Sequence, residues 1–152
     1  MALQFAVESG RSIRDEVFSL TQLHWEEIAL DKDKITLAPN YERYEELDAM
    51  GVLHTITARE AGKLVGYHFS FIQPHLHYRN DLMCFTDIFF LHPEHRKGLA
   101  AFGLFRAVET EMKKIGVKKI IMGCKDHHNL APIFNRLGWT LTDHMYAKYI
   151  GE

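Results

Sequence analysis

The residues best suited to chemistry lie in one stretch, an apolar run CFTDIFFL from Cys84 to Leu91 followed by His92-Pro93-Glu94-His95-Arg96-Lys97-Gly98-Leu99-Ala100. A lone carboxylate inside such a run, Asp87, is costly unless it is paired or faces a cleft. That makes it a candidate general base, beside the plainer reading of a structural carboxylate satisfied by a neighbouring hydroxyl or amide. The segment after it reads as a turn at the head of a helix. There the first backbone N–H groups lack partners and the helix dipole presents its positive end, so a phosphate or pyrophosphate can be held. Gly98 allows close approach of a ligand, Ala100 and Ala101 keep the way open, and Arg96 and Lys97 add positive charge. An ordinary strand-to-helix turn has the same wording, and neither GxxxxGK[ST] nor GxGxxG is present.

The chain has 10 histidines, groups able to move protons near neutrality or bind metals. His68 on the preceding strand is positioned to orient Asp87 or share its work, although a satisfied core histidine is the commoner fate. His75 and His77 form an HxH pair without a carboxylate or Cys at ligand spacing, so a solvated or substrate-lining loop is expected and no metal site. Asp126-His127-His128-Asn129 precedes a late helix, where Asp126 or Asn129 suits an N-cap and His127 is a site candidate.

Periodicity supplies the elements that must position these groups. A strand is expected over Leu3 to Glu8. A helix follows, opened by Ser12 and Asp15 as a capping box, with Ile13, Val17, Leu20 and Leu23 on one face. Pro39 and Asn40 mark the start of a second helix, Tyr41 to Met50. Leu53 to Glu60 and Lys63 to Gln73 read as a hairpin, with Val65, Tyr67, Phe69 and Phe71 on one face, and Pro74 to Asp81 as a polar loop. After the Cys84 to Leu91 strand come a helix from Leu99 to Ile115, a strand from Lys119 to Cys124, a short helix from Ala131 to Leu137 and a last strand from Thr140 to Ile150. Cys84 and Cys124 are expected as small buried apolar groups.

FFLHPEHRKGLA resembles motif A of the GNAT acetyltransferases, in which a strand ends in an apolar-x-Pro step before (Arg/Gln)-x-x-Gly-x-(Gly/Ala). KLVGY resembles the family's third strand, and IFNRLGW its late helix with a Gly-aromatic end. The resemblance spans residues 3 to 150, and the wording HPEHRKGL is also similar to small members carried by bacteriophages. It implies an α/β fold in a single domain, residues 1 to 152: a mixed, mostly antiparallel sheet of about six to seven strands, helices on both faces and a splayed central strand pair. It further implies acetyl-CoA as co-substrate, its pyrophosphate on the amides of residues 96 to 101 and its pantetheine arm in the gap between the Cys84 to Leu91 and Lys119 to Cys124 strands. The cofactor-binding residues would be Phe90, Leu91, His95, Arg96, Lys97, Gly98, Leu99, Ala100, Ala101 and Phe134. An amine would attack the thioester directly, a base would take its proton and an acid would protonate the thiolate.

Two positions depart from the family's pattern. With Gly98 and Ala100 in register, His95 holds the Arg/Gln position. Phe134 replaces the tyrosine that many members use as the acid, and a phenyl ring has no proton to donate. Another group (His127, His128, Tyr146 or His144) or water then takes the part, or the protein binds CoA without turnover, as a virion-associated or other binding protein would. The candidate catalytic set is Asp87, His68, His127 and Tyr146.

Bulk properties bound the partners. Lys+Arg 18 against Asp+Glu 20 gives a net charge of −2, without the basic excess of a phosphate-binding nucleic-acid protein. The acidic residues concentrate between positions 26 and 48, which by itself reads as a solvated face; the resemblance implies that this segment lies over the acceptor side, where it would attract an amine-bearing small molecule or a protein amine. Two isolated cysteines suggest a reducing cytoplasm. No membrane partner is expected, and homodimerisation is left open.

Overall fold

The computed structural model describes residues 2–152. Its strands are β1 (Gln4–Val7), β2 (Leu53–Glu60), β3 (Lys63–His75), β4 (Tyr78–Leu91) and β5 (Lys119–Ile121). Its helices are α1 (Arg14–Ile28), α2 (Tyr41–Ala49), α3 (Ala100–Lys114) and α4 (Ala131–Arg136), with single 3-10 turns at Pro93–His95 and Asp126–His128. The strands form one sheet in the order β1-β2-β3-β4-β5. The first four are antiparallel, and β5 joins β4 in parallel after the α3 crossover. No helix among the described residues is long and apolar enough to cross a membrane.

Two apolar cores sandwich the sheet. On one face Ile13, Val17, Leu20 and His24 recur at helical spacing and are all buried. They pack with Tyr44 and Leu47 of α2 over Leu64, Tyr67, Phe69 and Phe90. On the other face Leu104, Val108 and Met112 of α3 cover Ile56 and Cys84. Each fully buried side chain of this size contributes about 2 kcal/mol. The second helix starts as its sequence demands: Asn40 Oδ1 accepts the Arg43 N–H at 3.0 Å.

Several expectations are corrected. The sheet has five strands, not six or seven, because Thr140 to Ile150 forms no strand. The sheet's last edge, β5, is three residues long and offers too little ladder. Leu141, Met145, Tyr146 and Ile150 consequently stand exposed. β5 ends at Ile121, not Cys124, and Cys124 is exposed rather than buried. β4 begins at Tyr78, because the hairpin pairs on to His75 and Tyr78. The HxH pair closes that turn, the His77 N–H donating to His75 Nδ1 at 3.0 Å. Ser12 does not cap α1; its hydroxyl donates to Ser9 O, and Ile13 precedes the helix without a side-chain cap.

Val65 also leaves the face shared by Tyr67 and Phe69. A β-bulge opposite Ala58 and Arg59 makes it an extra residue, so Leu64 takes its place and Val65 packs with Ala58 and Leu91. The glycine of KLVGY has a steric reason. A Cβ on Gly66 would lie 2.7 Å from Phe90 O and 3.2 Å from Leu91 Cα, so only Gly lets β3 and β4 approach where β4 ends.

Candidate functional site

β4 and β5 are paired only through Met83–Lys119, Cys84–Ile120 and Phe85–Ile121. Beyond Phe85 the two strands part, and β4 runs on to Leu91 with β3 alone. A second bulge falls at this parting. Ser70 pairs with Thr86 and Phe69 with Ile88, which leaves Asp87 outside the ladder. The carboxylate is exposed and accepts the Tyr44 hydroxyl at 2.5 Å. Tyr44 itself stands edge-on to Phe69, ring centroids 5.6 Å apart. Burial, and then the Asp87 carboxylate, push the Tyr44 hydroxyl well above the ordinary phenol range, so it keeps its proton and donates.

His68 does not share this site. Its strand neighbours in register are Ile56 and Phe89, and Phe89 packs on Phe105 of α3. The imidazole is fully buried on the α3 side, Nε2 lies 3.0 Å from Thr86 Oγ1 and Nδ1 has no partner. Desolvation holds its pKa at about 3. It is a neutral core histidine, separated from Asp87 by the sheet.

The histidine on the Asp87 side is His24, which no motif marked. It continues the Ile13, Val17, Leu20 stripe, and that spacing was the available signal. Nδ1 lies 2.9 Å from the Tyr67 hydroxyl and the ring stacks on Phe90 at 5.0 Å. Burial lowers its pKa to about 4. His24 lines a cavity of about 550 Å³ between α1, the 29–39 connection, α2 and the sheet. Phe69 and Ile88 border it on the sheet side, Tyr44 reaches it from α2, and Lys125, just past β5, completes the wall. The cavity therefore adjoins the place where β4 and β5 part.

At the end of β4 the chain turns through Pro93–His95 into α3. Gly98 has φ +60° with open space around its Cβ direction, and α3 has no side-chain N-cap, so no capping side chain satisfies its first amides. Lys97 lies beside them. Arg96 is committed elsewhere: Nε donates to Leu91 O at 2.5 Å and Nη2 to Glu27 Oε2 at 2.9 Å, with the guanidinium over Phe90. His95 lies 3.8 Å from Glu60. The side chains of Phe90 and Leu91 are buried in different cores.

The late candidates are scattered. His127 Nε2 lies 3.3 Å from Glu27 O and His128 Nε2 3.4 Å from Glu27 Oε1, so Glu27 gathers Arg96 and both histidines at the end of α1. Asn129 Oδ1 accepts the Ala131 N–H at the start of α4. Phe134 packs edge-on to Phe105 and stacks on Trp139 as part of the α3 packing. Tyr146 is 94% exposed, and His144 is exposed beside it.

The expected acidic cleft is also corrected. The carboxylates of residues 26 to 48 are largely engaged: Glu26 with Lys32, Asp31 with Lys34, Glu42 and Glu45 with Arg14, Glu46 with Arg43. The charged residues lining the cavity are Arg14, Lys125, Asp31 and Glu45, two of each sign.

No protein-family model and no curated relative matches the chain. Solved structures do. A ribosomal-protein-alanine N-acetyltransferase from Brucella melitensis biovar Abortus superposes with TM-score 0.76 at 17% identity, over 100% of both chains. The chain has the acetyltransferase fold. An aminoglycoside acetyltransferase from an uncultured soil metagenomic sample, in complex with sisomicin, matches with TM-score 0.73 at 12% identity, covering 99% of this chain and 95% of that one. A predicted acetyltransferase from Clostridium acetobutylicum, with acetyl-CoA, matches with TM-score 0.69 at 18% identity, covering 97% and 96%.

Proposed function

We propose that the protein transfers an acetyl group from acetyl-CoA to a primary amine by direct attack on the thioester. The observation that carries this is Asp87, lifted out of the ladder by a bulge where β4 leaves β5 and held by Tyr44 beside a cavity. The uncapped head of α3, the open φ +60° turn at Gly98 and Lys97 suit a pyrophosphate. Residues 97 to 101 would hold it. Arg96 belongs to the support of this turn, through Leu91 O and Glu27. When bound, acetyl-CoA supplies an activated acyl thioester.

Asp87 receives the proton that the amine loses as its nitrogen forms the new C–N bond. The C–S bond breaks, and the thiolate takes a proton from water. Tyr44 is a positioning residue: its hydroxyl fixes the carboxylate and stays protonated throughout. His68 takes no part, and Tyr146 and His127, exposed and outside the cavity lining, stand as second candidates for the acid.

A second reading is supported by Phe134, which packs as an apolar plug and offers no proton: a CoA-binding protein without turnover. Thermal shift with acetyl-CoA and release of free thiol across an amine panel separate the two. Acetyl-CoA at 100-fold over its Kd stabilises by about 2.7 kcal/mol; absence of any shift removes both readings. Thiol release that falls about 100-fold in Asp87→Asn, and about 3- to 10-fold in Tyr44→Phe, supports transfer. Unchanged turnover in Asp87→Asn eliminates Asp87 as the base.

A further inference from the structure

We infer that the acceptor is a small amine with an apolar or aromatic body and a single positive charge, not a polyamine or an aminoglycoside. This rests on the acyltransferase reading and names its substrate class. A cavity of about 550 Å³ is of a size that encloses a small organic molecule. Its wall is apolar: Val17, Ile28, Leu37 and Pro39 line it with the rings of Trp25 and Tyr41. Ile35 and Leu30, more than half exposed, extend the apolar surface to its rim.

Charge decides between acceptor classes. A compound with several ammonium groups needs a carboxylate or carbonyl for each cation removed from water, because an unpaired buried charge is strongly disfavoured. The two lining carboxylates already have partners, Glu45 with Arg14 and Asp31 with Lys34, while Lys125 would repel further cations. Asp87, bound by the neutral hydroxyl of Tyr44, is the carboxylate left for one ammonium group, next to Ile88 and Phe69 on the sheet side. A monoamine thus sets its nitrogen at Asp87 and its body against the aliphatic and aromatic wall.

The test uses the full chain with acetyl-CoA and three acceptors, 2-phenylethylamine, spermidine and kanamycin, with thiol release and calorimetric binding measured in parallel. The expected result is a kcat/KM for 2-phenylethylamine at least 100-fold above those for the other two. Ile35→Glu, at the exposed rim, is expected to narrow that preference about 10-fold by giving a second cation a partner. Turnover that favours spermidine or kanamycin overturns the inference and leaves the acyltransferase reading standing. Calorimetric binding of 2-phenylethylamine, tighter than spermidine but without thiol release from any amine, supports the cavity's chemistry and sinks the acyltransferase reading. No binding and no turnover of 2-phenylethylamine overturns the inference.

Discussion

Mild acid should destabilise this protein through two buried histidines before most of its carboxylates protonate. His68 and His24 are buried on opposite faces of the sheet, and desolvation holds their pKa values at about 3 and about 4 against an ordinary 6.5. The unfolded chain binds a proton at each site below pH 6.5 while the folded chain resists it. Stability is therefore complete above that pH and falls as pH drops towards the folded values. Each histidine costs about 1.36 kcal/mol per pH unit in that interval, or about 2 kcal/mol at pH 5 and about 4 kcal/mol for the two. Against a typical stability of about 5–15 kcal/mol this is a large fraction. His54, lowered by burial as well, adds to the same sign. Urea denaturation followed by far-UV circular dichroism at pH 7.5, 6 and 5 measures the effect. His68→Leu and His24→Leu should each flatten the dependence by about 2 kcal/mol at pH 5. A wild-type loss under about 1 kcal/mol, or a His68→Leu variant with the full slope, would refute the reasoning.

Arg59 bridges β1, β2 and α1, donating to Glu8 at 2.8 and 3.0 Å and to Glu16 at 2.8 Å. Its bonds hold both carboxyl groups below the usual range, so the stabilisation exists above about pH 4.5 and disappears as pH falls below it. Arg59→Ala should cost about 1 kcal/mol at pH 7, discounted for the exposure of Glu16, and almost nothing at pH 3 in the same urea assay. The two strategic glycines should differ. Gly66→Ala drives a Cβ against backbone and should cost about 2 kcal/mol or more of stability by thermal denaturation. Gly98→Ala meets open space and should cost only about 1 kcal/mol, for its positive φ, while weakening the acetyl-CoA thermal shift.

What the sequence disclosed follows from how local each signal is. Ile13, Val17 and Leu20 of α1, the Asn40 cap and the passage from strand through turn to helix near residues 91 to 100 are patterns within a few turns of chain and stand as read, whereas Leu23 is exposed and His24 takes the last place in the α1 stripe. The bulges at Val65 and Asp87 were hidden, because an extra residue shifts the alternation by one and the neighbours on both faces, Leu64 and Val65 or Ile88, Phe89 and Phe90, are all apolar. Tyr44 was hidden too: 43 residues separate it from Asp87, and its own helix looks merely acidic. The same distance problem made residues 26 to 48 look like free negative charge, since Glu27 finds Arg96 across 69 residues. Thr140 to Ile150 has the composition of a strand, but an edge of three residues gives it nothing to pair with.

The parting of β4 and β5 has a price in local stability. Among the described residues, three register pairs and one further backbone bond, the Lys118 N–H donating to Leu82 O at 2.9 Å, form the ladder that joins residues after α3 to the sheet. Side chains add further ties: Trp139 donating to Glu109 at 2.5 Å, Phe134 packed on Phe105, and His127 and His128 at Glu27. Amide hydrogen exchange should therefore divide the chain unevenly, with β2 to β4 exchanging only on global unfolding and the stretch from β5 onward opening at far lower free energy. Ligands that span the gap would slow exchange in that last stretch first.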